Sequence, residues 1–367
     1  MYAFVCTFLY ADYDDDSILP TPIKNNYKLP YSGPINKPQL IWKFKTSSSA
    51  IESIVTIDKN GTLYFGSNDN YVYALDSLTG NLIWKFKTKY DVKSSVIINK
   101  QGDLLFGSMD GYLYSLNKNG TLKWKYNAHS AISSTPNIDK ENNIIFGDKK
   151  GYFHILDSDG DLIHKFRLTT SIKNTPIVDQ NNNFYLGFER GIISFKKNGT
   201  INWHYKTRSA ITSSLVLFNN TIFASSKDWK LYALSLNGKL QWTYQTAWYV
   251  TSSPVVGSDT IYLGSWDWSV HAISLVNGEG IWKTQPERSA TMTYFAANMI
   301  VDENENIYAA SRNDRIYCFD KRGKVLWHIV LKGEDVLGGI SLHKNGTLII
   351  PTSKGNIYAF KTKVTPN

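Results

Sequence analysis

An aromatic ring returns eight times along the chain at a nearly constant interval: Trp42, Trp84, Trp124, His164, Trp203, Trp242, Trp282 and Trp327, at spacings of 42, 40, 40, 39, 39, 40 and 45 residues. Periods in this range mark solenoids, propellers or arrays, in which each unit buries its apolar surface only against its neighbours. The repeat runs through both halves of the 367 residues without a change of composition, so one large domain is expected where length alone would suggest two or three.

One repeat shows what the unit is. Residues 51–57 are rich in β-formers, Asn60-Gly61 turns the chain, and 62–66 form a second such run. Asn68-Asp69-Asn70 turns again into 71–75, and Thr79-Gly80 leads into 82–86, which carries Trp84. Four short runs joined by tight polar turns predict one four-stranded antiparallel sheet. A sheet stacked between two others is apolar on both faces, and a Trp at a fixed place in each would dock it on the next, burying roughly 150–250 Å² apiece. His164 stands at that docking position in the fourth repeat and is read as structural.

Counting strands decides whether the stack closes. The first three strands recur eight times, the last set lying within 336–360, and no Trp strand follows. The missing strand is at the other end, at 40–46 with Trp42. The expected fold is therefore all-β: an eight-bladed β-propeller of four-stranded antiparallel blades, closed by the N-terminal strand 40–46, which removes the exposed edges of an open stack. Residues 1–39, with Asp-rich and Pro-rich stretches, are expected as an extended arm, and 40–367 as the propeller.

Composition restricts the chemistry. The formal charge of +9 and pI near 9.1 favour acidic partners in general. The Lys and Arg residues are dispersed, however, so nucleic acid is not expected as a specific ligand. Cys6 and Cys318 are far apart, with no Cys-x-x-Cys pair and no Cys/His cluster, so neither a disulfide framework nor a metal site is expected. The opening MYAFVCTFLYADYDDD lacks a basic segment and is too short to span a bilayer. An intracellular, cytoplasmic monomer without membrane contact is the expectation. Asn60, Asn119, Asn198 and Asn345 each begin Asn-Gly-Thr, a hairpin signal that accounts for them without glycosylation.

The cores FGSNDNYVYALDSLTGNLIWKF (65–86), FGSMDGYLYSLNKNGTLKWKY (106–126) and LGSWDWSVHAISLVNGEGIWK (263–283) resemble the pyrroloquinoline-quinone-like (PQQ) repeat. The resemblance covers residues 40–361. It implies a propeller of the quinoprotein alcohol dehydrogenase-like superfamily, which includes dehydrogenases, a lipoprotein of the outer-membrane assembly machine, and binding propellers. The dehydrogenases often carry a vicinal Cys pair and acidic calcium ligands in long insertions. Neither is visible here, where the largest insertion is near 287–294, so the resemblance implies a non-enzymatic branch with no cofactor.

Two places could carry function. In a propeller, the loop leading into the first strand (the approach loop) and the turn between strands two and three share one face. On that face the blade five and six loops bring Trp229, Trp248, Tyr249, Trp266 and Trp268 together, flanked by Arg208 and Arg288, while acids nearly balance the basic residues. Such aromatics anchor protein interfaces or stack sugar rings. The expectation is a protein-binding scaffold, with a glycan- or small-ligand-binding propeller (stacking on Trp248, Trp266 and Trp268) and a minimal quinoprotein dehydrogenase as alternatives. The second place is the channel, where aligned first strands put Glu52, Lys93, Ser133, Lys173, Thr212, Thr251, Ala296 and Leu337 at one level. Glu52, Lys93 and Lys173 there could hold an anion, but a water column is favoured.

Overall fold

Short β-rich runs separated by Asn-Gly and Thr-Gly turns fold into thirty-two strands among the described residues, which are 27–47, 49–286 and 294–362 of a computed structural model. The strands pair in eight four-stranded antiparallel sheets. Blade one is Thr56–Ile57, Thr62–Ser67, Tyr71–Asp76 and Leu82–Lys87, counted outward from the axis. In blade eight Ser341–Leu342, Leu348–Pro351 and Asn356–Lys361 are joined by Gln39–Lys45, which runs antiparallel to Asn356–Lys361 from Gln39↔Lys361 to Lys45↔Asn356. The expected eight-bladed, terminally closed propeller is the observed one. Arg288, Cys6 and the first 26 residues of the arm lie outside the described residues.

The innermost strands are shorter than their sequence suggests, two residues in blade one against the seven expected. Near the axis the blades converge, and the backbone bonds sideways instead of within its sheet. Ile54 N–H donates to Ser95 Oγ of the next blade at 2.9 Å, Ser95 N–H to Thr135 Oγ1 at 3.1 Å, and Thr56 Oγ1 to the Val96 carbonyl. These bonds satisfy buried polar groups that a sheet ladder would otherwise serve.

The apolar core is divided into eight clusters between blades. One joins Tyr64, Val72 and Ala74 of blade one to Val96, Leu104, Phe106 and Leu116 of blade two. Further out, each docking tryptophan lies against the turn glycine of the following blade. A Cβ added at Gly120 would sit 2.6 Å from the Trp84 ring, and one at Gly160 2.6 Å from Trp124. The indole N–H donates into the same turn: Trp42 to the Ser77 carbonyl at 3.0 Å, Trp84 to Lys118 at 2.8 Å, Trp203 to Leu236 at 2.8 Å and Trp282 to Lys321 at 2.9 Å. Where His164 replaces Trp, the facing glycine, Gly199, packs on Phe166 instead.

Residues 27–38 run along blades six and seven. Lys28 N–H donates to the Val256 carbonyl at 2.7 Å and Leu29 N–H to Val301 at 2.8 Å, and Leu29 is buried. Among the described residues no turn joins the third strand of blade eight to its fourth, Gln39–Lys45, so Trp327 meets a different partner. Its indole N–H donates to the Pro34 carbonyl of this segment at 2.9 Å. No helix of the described residues is long and apolar enough to cross a membrane.

Candidate functional site

The turn between the second and third strands repeats one backbone conformation, with its last residue left-handed. That residue is Asn70, Gly111, Gly151, Asp314 and Gly355 in blades one, two, three, seven and eight. These types tolerate positive φ at little cost. Blades five and six place Trp229 (φ 74°) and Trp268 (φ 70°) there. A bulky residue in this region is an outlier that costs about 1–2 kcal/mol. Both rings stay largely open to solvent, Trp229 at 42% and Trp268 at 43% exposure. Strained backbone at an exposed ring makes these two positions candidates for function.

Around Trp229 the rings form a continuous ladder across three blades. Trp229 stacks on Trp248 with centroids 6.2 Å apart and planes at 16°. Trp248 meets Tyr249 edge-on at 6.2 Å, Tyr249 meets Trp266 edge-on at 5.8 Å, and Trp266 stacks on Tyr294 at 4.1 Å. Trp248 is 50% exposed and Tyr249 38%. Trp266 is half-buried and its indole N–H donates to Thr251 Oγ1 at 2.8 Å, so it supports the ladder from beneath. Trp268 makes no ring contact with the ladder, and one face of Trp266 is covered by Tyr294. No direct ring contact joins Trp248, Trp266 and Trp268 to one another.

The loops are pinned by the turn aspartates. Asp228 accepts from Arg208 N–H at 2.9 Å and from the Tyr232 hydroxyl at 2.8 Å. Asp69 and Asp110 repeat the arrangement with Tyr73 and Tyr114. These carboxylates tie the third strand to the approach loop as well as stabilising their own turn. Exposed Arg208 is thereby held beside Trp229.

Two buried Tyr–His–Asp chains have the outward form of a proton relay. Tyr126 Oη lies 3.3 Å from His154 Nδ1, whose Nε2 faces Asp148 Oδ2 at 3.1 Å, and Tyr244, His271 and Asp267 repeat this at 3.0 and 3.0 Å. His154 and Asp148 are fully buried, and both histidines stand where other blades have the Tyr of the Tyr–Asp clasp. Burial lowers the His154 pKa, the Asp148 contacts only partly opposing it, so it stays neutral in the core. Each chain takes the place of the Tyr–Asp clasp of the other blades.

In the channel, all eight residues expected at one level line a single cavity of about 320 Å³. Glu52 Oε1 accepts from Lys93 Nζ and from Asn68 Nδ2, each at 2.7 Å. Burial raises the Glu52 pKa, but these bonds and the charges of Lys93 and Lys149 outweigh it and hold the carboxyl below its usual range. Lys173 has no ion-pair partner among the described residues. Among those residues there is also no group of three or more His, Cys, Asp or Glu placed to hold a metal ion.

Tyr294 is the member of the ladder that the sequence reading left out. Its signal is its register: Val250 and Phe295 N–H donate to the Ser226 and Ser265 carbonyls in equivalent places, so Tyr249 and Tyr294, one residue earlier, are equivalent. The insertion at 287–294 hides this alignment.

No curated protein sequence matches this chain. BamB from Moraxella catarrhalis superposes with a TM-score of 0.72 at 15% identity, covering 90% of this chain and 99% of that one. The quinohemoprotein alcohol dehydrogenase from Comamonas testosteroni gives 0.78 at 13% identity, covering 95% and 82%. The computationally designed Ika8 protein gives 0.73 at 16%, covering 92% and 99%. At these identities the likeness is one of fold. The family model described as outer membrane protein assembly factor BamB matches residues 35–195, 111–247 and 165–363. Matched from blade to blade around the whole ring, the chain belongs to this family of PQQ-like repeat propellers.

Proposed function

We propose that this propeller is a non-catalytic scaffold that binds a protein partner through its loop face, centred on Trp229, Trp248, Tyr249 and Trp268 with Arg208 at the margin. The observation that carries the reading is the pair of exposed tryptophans at left-handed φ, one of them stacked on exposed Trp248. Trp, Tyr and Arg are the residues that dominate interface energetics. Family membership supports the same reading, since the model's description is that of an assembly factor. The test is capture of host proteins on the immobilised wild type and on a folded Trp229→Asn/Trp248→Ala/Trp268→Asn variant, with cross-link mapping. A partner cross-linked to the 246–250 loop and lost with the variant supports the proposal. A partner held equally by both, or cross-linked elsewhere, overturns the site.

The likeness to quinohemoprotein alcohol dehydrogenase favours a second reading, a quinone-dependent oxidoreductase. The channel residues do not fit a calcium-bound quinone. Calcium takes six to eight oxygen ligands, whereas the cavity offers one carboxylate, Glu52, already bonded to Lys93 and Asn68. Addition of calcium and pyrroloquinoline quinone with alcohols and a redox dye is expected to give no dye reduction above the protein-free rate.

A further inference from the structure

The outermost strands of blades eight, one, two and three read QLIWKFK, LIWKFK, LKWKYN and LIHKFR, each with two cations and no acid. Their counterparts in blades four to seven read INWHYK, LQWTYQ, GIWKT and VLWHIV, with two Lys or Arg among them. One of those two, Lys283, is bound to Asp267 at 2.8 Å. Half of the outer wall is therefore basic and the other half nearly neutral.

The cations of the basic half are exposed and mostly uncompensated. Lys123 pairs with Asp103 at 2.7 Å and Lys43 lies 3.9 Å from Glu334, while the rest have no ion pair among the described residues. In each of these blades a lysine is held over a tyrosine ring of the adjoining strand: Lys43 over Tyr358, Lys85 over Tyr71 and Lys125 over Tyr112 at 4.7 Å, and Lys165 over Tyr152 at 4.9 Å. Such contacts fix the ammonium groups, so less freedom is lost when a partner binds.

Lysines on edge strands deter unwanted sheet pairing. That purpose does not account for the asymmetry, because LQWTYQ and VLWHIV are edges of the same kind without one. What the lysines do is select the sign of an incoming strand. Among the described residues each outer strand has a sheet neighbour on one side only. Each also begins with exposed apolar side chains, Leu40 at 50%, Ile83 at 54% and Leu162 at 49%. The wall is convex, so a flat membrane would meet few of these strands. Its tyrosine faces lie under lysines, so unpaired bases have no platform to stack on. An extended peptide can use all three features at once: backbone pairing at the edge, apolar contact at one end, and acids at alternate positions facing the Lys-x-Lys pair.

We propose that the outer wall of blades eight, one, two and three docks an acidic polypeptide segment as a fifth strand, a second surface separate from the aromatic ladder. The test uses fluorescein-labelled Glu-Thr-Glu-Thr-Glu-Val-Leu-Val and a labelled eight-nucleotide oligothymidylate, read by anisotropy and by amide hydrogen exchange of the full chain. The peptide is expected to bind, to protect amides of an outer strand in this half, and to lose about tenfold in affinity in a Lys85→Gln/Lys87→Gln/Lys125→Gln/Lys165→Gln variant. Replacing the same lysines with Arg is expected to retain binding, which separates lost charge from lost folding. Binding of the oligonucleotide in preference to the peptide would overturn the proposal. So would peptide binding without edge protection, or undiminished binding by the Gln variant.

Discussion

Trp327 donates its indole N–H to the carbonyl of Pro34 across 293 residues of sequence. The bond takes the place of the turn that every internal blade offers to the preceding tryptophan and that blade eight, assembled from two distant segments, does not have. Trp327→Ala should therefore cost about 3–5 kcal/mol in urea unfolding, as for a buried aromatic. Trp327→Phe, which keeps one aromatic ring but loses the bond and part of the indole, should cost less than Ala, with about 1 kcal/mol of it from the lost bond. Trp242 provides the control, because its buried indole nitrogen has no hydrogen-bond partner among the described residues, and Trp242→Phe should cost about 1 kcal/mol less than Trp327→Phe.

The glycine beneath each docking ring is under two constraints, and they can be separated. Gly120 has φ 80° and its added Cβ would sit 2.6 Å from Trp84, whereas Gly346 has φ 83° with its nearest neighbour at 3.5 Å. Alanine at either position carries the left-handed penalty of about 1–2 kcal/mol. Gly120→Ala should exceed Gly346→Ala by a further 1–3 kcal/mol, about the range for overpacking. Equal losses in chemical denaturation would show that the blades can shift to accommodate the methyl group.

If Trp229 is kept for binding, relieving its backbone should not harm the fold. Trp229→Asn installs the residue type that blade one uses at the equivalent turn, Asn70. Its stability should be unchanged or higher by up to about 1 kcal/mol, while partner capture falls. A loss of 2 kcal/mol or more would instead make the exposed ring a structural element.

Stability should fall at both ends of the pH scale for identifiable reasons. Burial raises the Asp267 pKa, but hydrogen bonds and charge from His271, with Lys283 and the Ala247 N–H, outweigh it and hold the carboxyl well below the usual range. Its stabilising contribution is therefore present above the unfolded value near pH 4 and is lost as pH falls below it. Tyr64 is pushed up to about 12 by burial and by Asp58. Its contribution is complete below the unfolded value near pH 10 and is lost as pH rises towards 12. Thermal melts should show a shallower acid limb for Asp267→Asn and a shallower alkaline limb for Tyr64→Phe.

The ring was legible in the sequence because its determinants are local and repeated. A turn glycine, a Trp four residues after it, and a count of strands suffice to predict closure by Gln39–Lys45. The short inner strands were less legible, because Ile54 bonds to Ser95 on another blade and sequence alternation does not report sideways contacts. The site was half legible. Composition draws attention to Trp229, Trp248, Trp266 and Trp268, but only backbone angles distinguish the strained pair from Trp266, and only three-dimensional register brings in Tyr294. The basic half-wall was hidden for the opposite reason: lysines occur in every repeat, and their asymmetry emerges once the outer strands are isolated.

The closure of blade eight also sets an order of events. Among the described strands Gln39–Lys45 is synthesised first, yet its partner Asn356–Lys361 is the last. At about 5–20 residues per second, the first strand waits roughly 15–60 s with both edges open. During that interval the growing chain is an arc with two sticky ends. The unpaired edges of that arc are exposed to aggregation until the ring closes.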